Sequence, residues 1–369
     1  QGIGITGVVM YAQLTTGAKT RIISKIAKDS SAVFVELGLD TRKNKAIKSK
    51  ERREVWNDDL TGEEIPHGLK IATVMKAKYQ RGKQSVYQYL RMTSIVNPHA
   101  TITLIIKDRD GGVIEKAKWV RTSEKLPRVV EEIKPHPHGI QLGTLQRMLR
   151  ESEQNRMKSF LRQNFSGVGM KAAERLLLAA EIDANRNPKR INSEDAKKLI
   201  DAFLKVKLLP PPTDCLSPID DLLIKKGLSK AIDSRFASTV TRLPAVSQGN
   251  PFQIEVGLIY GGDLTSDGPI EVLRFANRVP LMYQQGGCAL TKAIESIDWK
   301  RYGLDHPGGK GLPKGAAAVL IHLASTNVQF TSEAKEAVSD NEEVFDEIRK
   351  GLLEVGRGLR NHLKKKDQR

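Results

Sequence analysis

Cysteine is nearly missing from this chain: Cys215 and Cys288 are the only two in 369 residues. Two thiols cannot build a disulfide framework or a four-ligand zinc site, which points to a reducing compartment. No apolar run reaches the roughly 18 residues that a membrane span needs, and the first residues do not read as a secretion leader. A cytoplasmic location is the expectation. Acidic residues are outnumbered, 43 against 60 Lys and Arg, giving a formal net charge of +17. That excess serves solubility or a polyanionic partner such as nucleic acid. With 39% hydrophobic and 28% charged residues, the chain is globular and long enough for two or three cored domains. It opens on Gln1 rather than Met, on a glycine loop, so it is expected to start inside a domain.

Residues 249–290 carry the densest structural signal. Phe252, Ile254, Val256, Leu258 and Tyr260 alternate with Gln253, Glu255, Gly257 and Ile259, the period-2 pattern of a half-buried strand. Gly261-Gly262 ends it, and Asp267-Gly268-Pro269 marks a second turn. Ile270, Val272, Leu273 and Phe275 open another strand that stops at Asn277-Arg278-Val279-Pro280. The polar loop there is expected to present Asn277 and Arg278 at a sheet edge.

At the start, Gln1-Gly2-Ile3-Gly4-Ile5-Thr6-Gly7 precedes a helix candidate, Val8–Leu14. Glycines before a helix can bare N–H groups to a phosphate, although a short Gly-x-Gly is also a plain turn. No Gly-Lys-Ser/Thr follows, which excludes a Walker A loop. Strands are expected at residues 20–26, 32–37, 68–77 and 100–107, with the basic stretch 42–53 as a solvated turn or edge. A helix through Tyr87–Met92 is closed by Asn97-Pro98. Lys134–Gly139 forms a stiff linker, whose His136 and His138 have no third ligand nearby. Helical spacing predicts helices at 140–151, 154–163, 170–181 and 193–205, with Ser193 as an N-cap. Ser217-Pro218 reads as N-cap and first residue of a further short helix. Beyond 290 the pattern predicts a helix over 290–297, a loop over 306–315 and a doubly buried strand over 316–324. A polar loop from Ser325 is expected to return into a helix near Glu336. Last comes a long helix with its stripe on Val344, Ile348, Leu352, Val355, Leu359 and Leu363. Asp298-Trp299-Lys300-Arg301-Tyr302 suits both core packing and phosphate contact, with core packing the stronger reading from the residues alone.

The wording of several segments is similar to one family. FANRVPLMYQQGGCALTKAI (residues 275–294) and DWKRYGL (298–304) resemble the transducer domain of the B subunits of DNA topoisomerase VI, a type IIB topoisomerase. QGIGITGVVMYAQLTTG (1–17) resembles the glycine box of the GHKL ATPases, and RGKQSVYQYLRMTSIVNPHATITL (81–104) matches the same family. FSGVGMKAAERLL (165–177), entered through HPHGIQLGTLQRML (136–149), is similar to its helix-two-turns-helix domain. That domain could equally be a purely structural bundle; a DNA role there would fall to Lys171, Lys189 and Arg190.

The resemblance implies an α+β protein in three parts: the back of a GHKL α/β sandwich (1–133), the helical insert (134–228) and a transducer with a mixed sheet and a long terminal helix (229–369). It implies ATP and Mg2+ as cofactors and Gln1, Gly2, Ile3, Gly4 and Ile5 as nucleotide contacts. Lys335 in SEAKEAV is expected as catalytic sensor of the terminal phosphate, with the position of Asn327 as its rival. Trp299, Lys300, Tyr302 and Arg278 are expected to contact DNA. The partners implied are the A subunit, in an A2B2 heterotetramer, a second copy of the B subunit on ATP binding, and double-stranded DNA near the nucleoid. Two departures stand out. The Mg2+ and adenine motifs of GHKL enzymes would precede Gln1, and Leu69 stands where the family usually has threonine, so it offers no hydroxyl. A non-catalytic DNA-binding or scaffold relative is the alternative, and a helix-hairpin-helix repair protein would account for 134–228 alone.

Overall fold

The structure is a computed structural model that describes residues 3–43, 45–59 and 61–368, apart from the side chains of Ile3 and Asp367. It forms two compact units, Gln1–Gln80 and Arg81–Arg369.

In the first unit, helix α1 (Ile3–Thr16) precedes an antiparallel sheet of β1 (Thr20–Lys25), β2 (Ala32–Asp40), β3 (Lys45–Glu54) and β4 (Gly68–Ala72), in the order β3-β2-β1-β4. Val9 and Ala12 are the buried side of α1. Gln13 ties the helix to the sheet, since its amide donates to Leu39 O and accepts from Leu39 N, both at 2.8 Å. The basic stretch becomes the edge strand β3, exposed at every residue, as its charge predicts. β4 stops at Ala72, five residues short of the expected end.

The second unit opens with α2 (Val86–Val96), capped by Ser85, and the hairpin β5 (Ile102–Lys107) and β6 (Val113–Trp119). Sequence reading did not find β6. Four helices follow: α3 (Leu142–Glu151), α4 (Met157–Asn164), α5 (Met170–Ala180) and α6 (Ser193–Lys205). They close around Leu145, Phe160, Leu176 and Phe203. The α6 cap is Asn192, whose side chain accepts from Asp195 N, so Ser193 is the first helical residue rather than the cap. Likewise α7 (Asp221–Ala231) is capped by Asp220, and Ser217 instead donates to Arg128 O.

A six-stranded sheet then forms from β7 (Phe236–Thr241), β8 (Ala245–Ser247), β9 (Asn250–Tyr260), β10 (Glu271–Ala276), β11 (Val279–Pro280) and, after α8 (Ala289–Glu295), β12 (Ala317–Ser325). Its order is β11-β10-β12-β9-β7, with β8 also on β9. β10 and β12 run parallel and the remaining pairs antiparallel. Helices cover both faces. α2 and α7 meet Leu273, Phe275 and Leu320 on one side. On the other, α8 and the terminal helix α9 (Glu342–Asp367) meet Val256, Val319 and Ile321. β9 is therefore buried on both faces, not half-buried: its polar positions Gln253 and Glu255 are inside because each finds hydrogen-bond partners there.

Candidate functional site

The centre of the sheet holds a polar cluster whose members lie far apart in sequence. Glu255 on β9 is fully buried, and its carboxylate accepts four hydrogen bonds. His322 Nδ1 on β12 gives one at 2.8 Å and Thr241 Oγ1 on β7 another at 2.7 Å. The N–H groups of Ile219 and Asp220, at the start of α7, give the others at 2.8 and 2.7 Å. Burial alone would raise the Glu255 carboxyl. The His322 contact, the Ile219 N–H and the Thr241 hydroxyl outweigh it and hold the group below the usual carboxylate range.

His322 Nε2 accepts from the backbone N–H of Arg278 at 3.0 Å, so the ring proton belongs on Nδ1, facing Glu255. Asn277 and Arg278 form the β10–β11 turn with φ of 46° and 64°, both left-handed. The turn lies at the sheet edge as the sequence predicts, but the Arg278 guanidinium turns inward. It donates to Val96 O at 2.7 Å and Pro218 O at 3.2 Å. Burial lowers its affinity for a proton, against the pull of Glu255. Arg278 thus joins the end of α2 to the segment before α7, and the expected DNA contact is corrected to an internal bridge. Asn277 holds both the N–H and the carbonyl of Ser325.

The Trp299–Tyr302 segment is a single 3-10 turn, and it divides its side chains sharply. Trp299 is 0% exposed, with its indole N–H donating to Ile294 O at 2.8 Å. Tyr302 is buried edge-on to it, ring centroids 6.1 Å apart. Both aromatic rings belong to the core, so the expectation that they touch DNA is corrected as well. Lys300 and Arg301 point to solvent.

The polar loop does not return into a helix at Glu336. It continues to Asn341, which caps α9, and is pinned by a bridge between Phe330 and Val338. Lys335 sits at its tip, exposed, with φ of 55° and its N–H on Ser332 O. Asn327 is held nearer the sheet through Ser325 Oγ.

Of the expected nucleotide contacts, Gln1, Gly2 and the Ile3 side chain lie outside the described residues. Gly4 and Ile5 are already inside α1, which begins five residues before the predicted helix. Among the described residues nothing lies within 4 Å of where side chains at Gly4 and Gly7 would start, and the first turn has no acid. Among the described residues no group of three His, Cys, Asp or Glu could hold a metal ion. The Glu255 cluster escaped sequence reading, because Glu255 looks like the solvent side of an alternating strand and His322 lies 67 residues away.

Residues 211–369 match the family described as topoisomerase VI B subunit, transducer. The chain is 48% identical, over 98% of its length, to the B subunit of type 2 DNA topoisomerase 6 from Methanococcoides burtonii, and covers 56% of that protein. It is 33% identical to the corresponding protein of Thermococcus gammatolerans, covering all of this chain and 70% of that one. Among solved structures, the 43K ATPase domain of Thermus thermophilus gyrase B aligns at 11% identity and a TM-score of 0.37, over 100% of this chain and 67% of that one. The chain thus spans little more than half the length of the Methanococcoides burtonii protein. It belongs to the family of type 2 DNA topoisomerase 6 B subunits.

Proposed function

We propose that the chain is the ATP-responsive and force-transmitting part of a type IIB topoisomerase, on its B side. In this reading it works in an A2B2 heterotetramer that passes one DNA duplex through a transient break in another. The observation that carries the reading is similarity along 98% of the chain to a relative named as that component. The parts are proposed as the end of the nucleotide-binding domain (1–133), the helical insert (134–228) and the transducer (229–369).

ATP, when bound, supplies the phosphoryl group whose hydrolysis drives the cycle. The space left over Gly4 and Gly7 among the described residues and the acid-free first turn of α1 suit a nearby phosphate. The Mg2+ ion implied by the family has no three-ligand group among the described residues, so no step is routed through it. Lys335 is the proposed cation for the terminal phosphate. Its exposed side chain on a loop tip can meet an anion that a buried lysine could not, and a fixed positive charge stabilises charge developing in the transition state. Lys300 and Arg301 are the proposed phosphate-backbone contacts for DNA, on a turn that Trp299 and Tyr302 anchor in the core.

The test is DNA-stimulated ATP hydrolysis and decatenation by these residues in the full-length frame of a relative, with its A subunit. Lys335→Ala should lower turnover by about 100-fold or more, and Lys300→Ala should weaken stimulation by DNA while leaving basal hydrolysis in place. Turnover that ignores Lys335 would transfer its role, with Asn327→Lys as the next variant. The scaffold reading has one observation in its favour: Leu69 is 65% exposed on β4 and brings no hydroxyl. Absence of all hydrolysis with DNA binding intact would favour it.

A further inference from the structure

β11 covers only Phe275 and Ala276 of β10. Glu271, Val272 and Arg274 in the remainder of β10 wall an open cleft of about 900 Å3 whose other side is built by residues around the start of α2. That volume is within the range of small-molecule sites. Arg274 lines the cleft although only 1% of it is exposed. Its Nη2 donates to Leu281 O at 3.0 Å and Tyr283 O at 2.8 Å. Its Nη1 is buried with no hydrogen-bond partner among the described residues. No carboxylate forms an ion pair with it among the described residues, an unfavourable position for a guanidinium unless an anion completes it.

The surroundings favour an anion. Arg81, Lys83 and Arg91 line the same cleft, which with Arg274 sets four cations against three carboxylates, and α2 starts there without an acidic residue in its first turn. Three carboxylates line it too. Glu271 is engaged by Arg91 at 3.0 Å, while Asp233 and Asp263 disfavour a ligand with many negative charges. One oxyanion group fits this balance, and a polyanion such as a nucleic-acid backbone does not.

We propose that this cleft binds a small ligand through a single phosphate group, with Arg274 Nη1 as the buried anchor and Lys83 and Arg91 at the rim. With Nη2 held by the two carbonyls, the Nη1 N–H groups are left to donate charge-assisted hydrogen bonds to phosphate oxygens. The test titrates inorganic phosphate into the full chain and follows 31P linewidth and heat of binding for wild type, Arg274→Met and Lys83→Ala. The +17 net charge will hold some phosphate diffusely, and that fraction should persist in every variant. Arg274→Met should lose the saturable component, weakening it tenfold or more, and Lys83→Ala should weaken it by a smaller factor. Equal saturable binding in wild type and Arg274→Met would overturn the proposal. Should Arg274→Met fail to fold, hydrogen exchange on the wild type decides: phosphate must protect the amides of residues 281–285, and no protection there sinks the site. Acetate giving the same protection at equal ionic strength would replace phosphate by carboxylate and overturn the assignment.

Discussion

Four donors from two neighbouring strands and a helix start converge on a single carboxylate, Glu255. Replacing it by Gln turns one acceptor into a donor aimed at other donors. A loss of about 3 kcal/mol is expected by analogy with broken buried pairs, read as a drop in denaturation midpoint. The pH dependence follows from the lowered Glu255 value. A carboxyl that is more acidic folded than unfolded adds stability that is complete above its unfolded value, about 4.3, and is lost as pH falls through the folded one. Wild type should therefore lose more stability between about pH 5 and pH 3 than Glu255→Gln does; parallel curves would show that Glu255 is not responsible. At Trp299, truncation to Ala should cost about 3–5 kcal/mol, whereas Trp299→Phe should keep most of the fold and of any DNA affinity. A selective loss of DNA binding in Trp299→Phe would contradict its place in the core. The Glu255 cluster was not legible in the sequence, and the core packing of Trp299, which its residues alone favour, was set aside for the family resemblance. An alternating strand hides which of its polar residues finds a partner.

Elements were far more legible. The six-residue stripe of the last helix and the apolar run of β12 emerged close to their expected bounds, because long, periodic burial leaves its period in the sequence. Caps were displaced by one to three residues where several capping types stand side by side, Asn192 before Ser193 and Asp220 after Ser217. Crossing distances between helices were not legible at all, since they depend on which glycine faces which partner. Gly227 on α7 shows this: a Cβ there would lie 1.8 Å from the carbonyl oxygen of Ile95 on α2. In an open helix Gly→Ala gains about 1 kcal/mol. Here Gly227→Ala is expected to lose about 2 kcal/mol or more through overpacking, a reversal of sign that thermal denaturation can read directly. Gly351 on α9 has the same role over Val256, where the nearest methyl would be 2.7 Å away.

For the whole molecule, the division into two compact units and the exposed, irregular residues 76–84 around their boundary predict that brief trypsin treatment cuts first around Lys76–Lys83. Unit 2 contains its own three cores and should survive as a folded fragment; its immediate digestion would show that it depends on the first unit. The charge of +17 predicts DNA affinity that falls steeply with salt, and Lys300→Ala should reduce the slope of log K against log salt by about one. The Glu255 cluster also has a mechanical meaning within the second unit. Through Ile219 and Asp220 it clamps the start of α7 to the inner strand β9, while Arg278 straps the end of α2 to the segment before α7. The helical layer cannot slide over the sheet without breaking several buried bonds together. Sheet and helices on that face are thus cross-braced, and shear between the two layers is resisted by polar bonds as well as by packing.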